Sequence, residues 1–327
     1  MSGDRIAVLG AGAWGTALAA SFARAGRDCT LWGRDADIVA AINRDGRNPR
    51  YLNGIDLPPS LAATAEMEQA LSGASVVVLA VPAQTLRAFL ADILPLAVPE
   101  AMLVSTAKGI DRASGHTMTE IIDAVAGRDR SAALSGPSFA VDVAAGLPTA
   151  VTVAAHDLET ARSLAETLSS LTLRGYASDD LTGVELGGAL KNVLAIAAGM
   201  VHGSALGASA IAALTTRGFA ELQRVASALG GRPETLAGLS GLGDLILSCG
   251  SEKSRNFAYG AALAWGEDVS HLPLAEGVYT ASVAAKIARD HQLDAPIIFA
   301  VDAILAGSLT VGDAITELMS RPLKAET

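Results

Sequence analysis

The chain has 327 residues, more than the roughly 250 to 300 at which one hydrophobic core stops growing, so two domains are expected. Half of its residues are hydrophobic and its formal net charge is −10, with no basic block, which excludes a protein that neutralises nucleic-acid phosphates broadly. Cys29 and Cys249 lack CxxC spacing and read as reduced core thiols of a cytoplasmic protein, and the five histidines show no ligand spacing, so no metal site is expected.

The opening Met-Ser-Gly-Asp-Arg runs straight into a strand pattern, so no signal peptide is expected. Short apolar runs at 6–9, 29–32, 75–80, 102–106, 132–134, 150–154 and 171–174 read as strands. Their continuous apolar character marks strands covered on both faces. Helical periods at 16–25, 84–94 and 158–169 alternate with them, the signature of a doubly wound, mainly parallel sheet. The longest apolar run, near 74–81, falls short of the roughly 20 residues of a membrane-crossing helix, so no membrane span is expected. Past about Asp179 the strand signals stop, and alanine- and leucine-rich helical patterns run on, broken at Gly230-Gly231, Gly241 to Gly243, Gly266, Pro273 and Pro296. The fold class is therefore α/β: a Rossmann-like domain over 1–180, then an all-helical domain over 181–327 that opens with a long helix carrying Lys191.

At the end of the first strand, Gly10-Ala-Gly12-Ala13-Trp14-Gly15 spells G-x-G-x-x-G in strand-to-helix context, the setting in which this motif binds a dinucleotide. Gly10 serves the tight turn, Gly12 the approach of pyrophosphate and Gly15 the packing of helix on sheet, with the anion against the free N–H groups of the helix N-terminus. The second strand ends in Trp32-Gly33-Arg34-Asp35, where an acidic residue selects NAD through the ribose 2′-OH and an arginine accepts the 2′-phosphate of NADP. Arg34 comes first, so NADPH is the expected cofactor, with NADH tolerated. Pro82 turns the chain beside the topological switch point and is assigned to the nicotinamide wall; a plain strand-ending proline is the competing reading.

Lys108 follows the strand at 102–106 and faces the same crevice. Next come Gly136-Pro137-Ser138-Phe139-Ala140, with Pro137 placed for the first turn of a helix that Gly146 ends. In the helical half, Lys191 and Asn192 stand one turn beyond Gly187 and Gly188. Side chains lean toward a helix N-terminus, so the lysine and carboxamide lie over bare backbone. Either a ligand needs that space, or the helix packs closely through its glycines. Asp244, and then Ser254, Arg255 and Asn256 at the start of another helix, form a further polar cluster. A guanidinium beside a helix N-terminus is poorly placed unless an anion such as a phosphate lies between them; an exposed arginine paired with Asp244 is the simpler reading.

With these motifs together the chain resembles the bacterial NAD(P)-dependent glycerol-3-phosphate dehydrogenases. The resemblance rests on Gly10 to Gly15, Trp32 to Asp35, Thr106-Ala-Lys108-Gly109, Ser135 to Ala140, Leu147-Pro-Thr149, Glu185 to Asn192, Gly241 to Asp244, Ser254 to Asn256 and Glu276-Gly277. It implies reversible reduction of dihydroxyacetone phosphate to sn-glycerol 3-phosphate, a glycerophospholipid precursor, with Lys191 as general acid/base. It also implies substrate contacts from Lys108, Gly136, Ser138, Asn192, Asp244, Ser254, Arg255 and Asn256. Ala13, Trp14, Arg34, Lys108, Ala140, Arg255 and Glu276 match the family's cofactor positions. The segment 273–275, and Val278-Tyr279-Thr280 after Glu276, depart from the family pattern. A homodimer is expected from the apolar helical half. Two other readings stay open: a dehydrogenase of 6-phosphogluconate or a 3-hydroxy acid, which also uses a helix lysine, and a catalytically silent nucleotide sensor, which needs none of Lys108, Lys191 and Asp244.

Overall fold

The computed structural model describes residues 4–322. Strands β1 (Ile6–Leu9), β2 (Cys29–Trp32), β3 (Ala62–Thr64), β4 (Val76–Leu79), β5 (Met102–Ser105), β6 (Ser131–Ser135), β7 (Thr149–Ala155) and β8 (Leu173–Ser178) form one sheet in the order 3-2-1-4-5-6-7-8. Neighbours pair parallel except β6 with β7. The first six strands thus carry the doubly wound order, whose switch point lies between β1 and β4. Alternate residues of β1 serve opposite faces: Ile6 and Val8 enter one core with Leu18 and Phe22, and Ala7 and Leu9 enter another with Leu86 and Leu90. Those helical residues belong to α1 (Ala13–Arg24) and α4 (Leu86–Ile93).

Two strand assignments differ from the sequence pattern. β3 went unread because it is three residues long at the sheet edge, with Ala62 exposed. β8 starts two residues later than the apolar run, because the Ser170 hydroxyl takes the N–H groups of Thr172 and Leu173 in a turn that leaves Leu171 in solvent.

From Leu181 onward the described chain is helical. Helix α8 (Leu181–Gly203) is wrapped by α9 (Ala208–Ala228), α11 (Asp244–Cys249), α12 (Arg255–Trp265) and α13 (Glu276–Asp290). Its residues from Gly183 to Val201 are all buried, so it has no polar face, as expected of a helix covered all round. At 23 residues and a mean hydropathy of 1.4 over an 18-residue window it is long and apolar enough to cross a membrane, yet that window is wholly buried inside the protein. The run near 74–81 is therefore not the longest apolar segment; Glu185, Lys191 and Asn192 conceal this one in the sequence.

Candidate active site

The site begins where β1 ends. A side chain on Gly10, whose φ is +123°, would come within 2.5 Å of the Ala80 carbonyl oxygen, and one on Gly15 would collide with the Gly10 carbonyl. These two glycines are small because protein lies against them. Gly12 has nothing among the described residues within 4 Å of its added carbon, and as N-cap of α1 it offers no capping side chain. Open space in front of uncapped N–H groups fits a pyrophosphate, which would be held there by Gly12, Ala13 and Trp14. At the tip of β2, Gly33 packs on Ala11. Asp35 caps helix α2 (Ala36–Asp45), its Oδ1 accepting from Asp37 N at 3.0 Å and Ile38 N at 3.3 Å, and Arg34 is exposed beside it.

Across the switch point, Pro82 is exposed and leads into a single 3₁₀ turn. Glu276, the first residue of α13, reaches over from the helical half. Its Oε1 accepts from Ala83 N and its Oε2 from Lys108 N, each at 3.1 Å. One carboxylate thereby ties the loops after β4 and β5 together. The Lys108 carbonyl is fixed as well, accepting from Asn192 Nδ2 at 2.8 Å. Asn256 Nδ2 donates to Asn192 Oδ1 at 2.8 Å, and Asn256 Oδ1 accepts from Gly277 N at 2.9 Å. Asn192 and Asn256 are both buried, with their amides engaged in this bridge between the halves.

At the centre two ammonium groups share one carboxylate. Lys108 Nζ donates to Asp244 Oδ2 at 2.7 Å and to the Gly136 carbonyl at 2.8 Å. Lys191 Nζ donates to Asp244 Oδ1 at 3.0 Å and to Ser248 Oγ at 2.6 Å. Asp244 is 2% exposed and Lys191 6%. Burial pushes the Asp244 carboxyl up, but the two lysines outweigh it and hold it below its ordinary value. Burial likewise lowers the Lys191 ammonium; Asp244 opposes this and Lys108 adds to it, leaving a net fall. The adjacent Cys249 thiol is pushed up to about 12 by burial, as is Cys29, which fits inert core thiols. Asp244 stands where a π-helical turn over Leu239–Gly243 gives way to α11, an irregularity that often marks functional positions.

The glycines under Lys191 divide the two readings between them. A side chain on Gly187 would meet Gly241 and Ser240 backbone atoms at 3.1 Å, so this glycine is close packing and not a ligand floor. One on Gly188 would meet Ser135 Oγ at 2.5 Å and Lys108 Cγ at 3.6 Å, on the side of the crevice. Ser135 Oγ is buried without a hydrogen-bond partner among the described residues.

Pro137 is not in the first turn of a helix: α6 (Ala140–Ala144) starts three residues later, with Phe139 as its N-cap. Gly136 takes φ +147°, and its carbonyl accepts from Ser138 Oγ at 3.0 Å besides Lys108. Ser254 caps α12 through Phe257 N at 3.4 Å. Arg255 is exposed at the same helix start and makes no ion pair among the described residues; Asp244 serves the lysines instead. The sequence pattern missed Ser248, one helical turn beyond Asp244, although i,i+4 spacing on a helix was the available signal. It also missed Gln84, which braces the loop after Lys108 through Ile110 O and Arg112 N.

A dinucleotide cradle on a doubly wound sheet, facing a buried lysine on a helix of the second half, defines a nicotinamide-dependent dehydrogenase. Family models described as the N-terminus and C-terminus of NAD-dependent glycerol-3-phosphate dehydrogenase match residues 5–161 and 180–316. The chain belongs to that family. It is 57% identical over 326 residues to a glycerol-3-phosphate dehydrogenase (NAD(P)+) of Mesorhizobium japonicum, covering 99% of this chain and 94% of the relative. It is also 57% identical to one of Chelativorans sp., over 98% of each chain. The solved structure of a Coxiella burnetii glycerol-3-phosphate dehydrogenase superposes with a TM-score of 0.91 at 38% identity, covering 98% of this chain and 99% of that one.

Proposed function

We propose that the chain reversibly reduces dihydroxyacetone phosphate to sn-glycerol 3-phosphate, with NADPH preferred over NADH and Lys191 as the general acid/base. The observation that carries this reading is the pair of ammonium groups on one buried carboxylate at the strand ends. When bound, the nicotinamide supplies the hydride to carbon two. Lys191 Nζ stabilises charge developing on the carbonyl oxygen and delivers the proton. In the oxidation direction its neutral amine takes the hydroxyl proton, and the burial that lowers its pKa makes that form accessible. Asp244 holds the two ammonium groups side by side, Lys108 on its Oδ2 and Lys191 on its Oδ1, and in this reading both face the substrate oxygens. Arg255 and Ser254, at the N-terminus of α12, take the substrate phosphate.

For the cofactor, Asp35 is engaged as a helix cap, whereas Arg34 is exposed at the strand tip; this supports NADPH. The same reading divides the chain at 180/181 and places it in the cytoplasm, in glycerophospholipid synthesis. It makes the chain a homodimer, supported by Leu206, Ile246 and Trp265, which are 45%, 63% and 56% exposed on the helical half.

The test follows loss of NADPH absorbance with dihydroxyacetone phosphate, with NADH in parallel. A ketone-dependent rate, faster with NADPH, is expected. No ketone-dependent rate overturns the reaction, and a faster NADH rate overturns the cofactor preference alone.

A further inference from the structure

The turn after α2 lies against the adenosine end of the cofactor crevice, and one buried amide puts it there. Asn48 is fully buried. Its Nδ2 donates to Ala11 O in the glycine loop at 3.0 Å and to Thr16 Oγ1 on α1 at 2.9 Å, and its Oδ1 accepts from Tyr51 N at 3.2 Å. Leu52 anchors the other side of the turn, 2% exposed in a small core with Ala17 and Val143. Arg50 therefore has a fixed root at the crevice rim, although 66% of its side chain is exposed. Its guanidinium lies 5.4 Å from the centre of the Tyr51 ring, and its NH1 is 3.6 Å from Asp35 Oδ2.

Asp35 is where a dinucleotide site reads the ribose: in strand–turn–helix sites of this kind the acidic residue follows the last glycine by about 20 residues. A carboxylate facing that position repels a 2′-phosphate. Here Oδ1 is taken by two N–H groups of α2 and Oδ2 faces the Arg50 guanidinium. A solvent-exposed pair at this distance adds little to stability, so its value lies in the local field. We propose that Arg50 is a cofactor-specificity residue, which neutralises Asp35 and, with Arg34, presents two guanidiniums to the 2′-phosphate of NADPH. The inference rests on the NADPH-linked reaction above and adds a residue to it.

The intact enzyme and its Arg50→Ala, Asp35→Asn and Arg50→Ala/Asp35→Asn variants distinguish the two. Asparagine still caps α2, so the double variant removes both charges and keeps the helix start. With saturating dihydroxyacetone phosphate, Arg50→Ala should raise the NADPH KM about fivefold with kcat within about twofold, and cut the NADPH-to-NADH ratio of kcat/KM by about the same factor. Asp35→Asn should lower the NADPH KM by a larger factor in the Arg50→Ala background than in the parent; a purely structural Arg50 gives the same factor in both. Equal changes with both cofactors, no change, or the same Asp35→Asn factor in both backgrounds overturns the proposal. A parent enzyme without ketone-dependent oxidation fails at the earlier step and strikes the reaction itself.

Discussion

The α/β half and the helical half build their parts of the site from different materials. Around β1 the site is backbone: Gly10 and Gly15 are small because protein presses on them, and Gly12 because nothing does. Around α8 the site is side chains, with Lys191, Asn192, Asp244, Ser248 and Asn256 all buried and joined by hydrogen bonds. A buried polar network is stable only when its members satisfy one another, and here the α/β half supplies two of the partners, Lys108 Nζ and the Lys108 carbonyl. A backbone cradle fails when it is filled. A charge network fails when a charge is removed, and the two failures have different signatures.

The largest effect is expected at Lys191. Lys191→Ala removes the proposed proton donor while Asp244 keeps its pair with Lys108, so kcat should fall about a thousandfold, with the substrate KM changed far less. Circular dichroism and thermal melting should show a folded protein. Near-native turnover in the folded variant would remove Lys191 from the chemistry.

Gly12→Val and Gly187→Val set space against packing. At Gly12 the new side chain enters open space, so melting should change little while the NADPH KM rises more than about tenfold. At Gly187 it enters the Gly241 backbone at 3.1 Å, and overpacking of that kind costs about 1–3 kcal/mol of stability. Denaturant unfolding beside cofactor titration separates the two. A Gly187→Val enzyme of parental stability that fails only in binding would restore that glycine to the floor of the site.

This contrast also explains what could be read from the residues alone. The glycine loop was legible because a backbone cradle is local, spelled within six consecutive positions. Lys108, Lys191 and Asp244 could be named as candidates, but that the two lysines share the one carboxylate depends on contacts spanning 136 and 53 positions. The Asn192–Asn256 bridge spans 64, and an asparagine before a helix or within one has no periodicity that marks its partner. Gly187 and Gly188 are identical in sequence; the neighbours of α8, not the helix itself, make one a packing contact and the other a site wall. β3 was lost for a different reason, being too short and too exposed to leave an apolar run.

The smallest effect is expected in the pH dependence of stability, and it compares the junction of the halves with the interior of one. Glu185 on α8 accepts from the N–H and hydroxyl of Thr119, in α5 (Met118–Ala126) of the α/β half. Glu221 on α9 accepts from the N–H groups of Ile297 and Ile298 at the start of α14 (Pro296–Leu305), within the helical half. Burial pushes each carboxyl from 4.5 up to about 7, against those hydrogen bonds. Across that window the folded chain keeps protons that the unfolded chain releases. Their contribution is therefore fully present below about pH 4.5 and is lost as pH rises through about 7. Glutamine keeps a carbonyl acceptor and does not titrate, so Glu221→Gln and Glu185→Gln should each gain stability relative to the parent as pH rises from about 5 to about 7, then level off. Chemical denaturation at intervals across that range measures the slope. A flat difference at Glu185 with a rising one at Glu221 would mean that the junction admits enough water to ionise its carboxylate, and that the two halves are less tightly sealed there than the helical core is within itself.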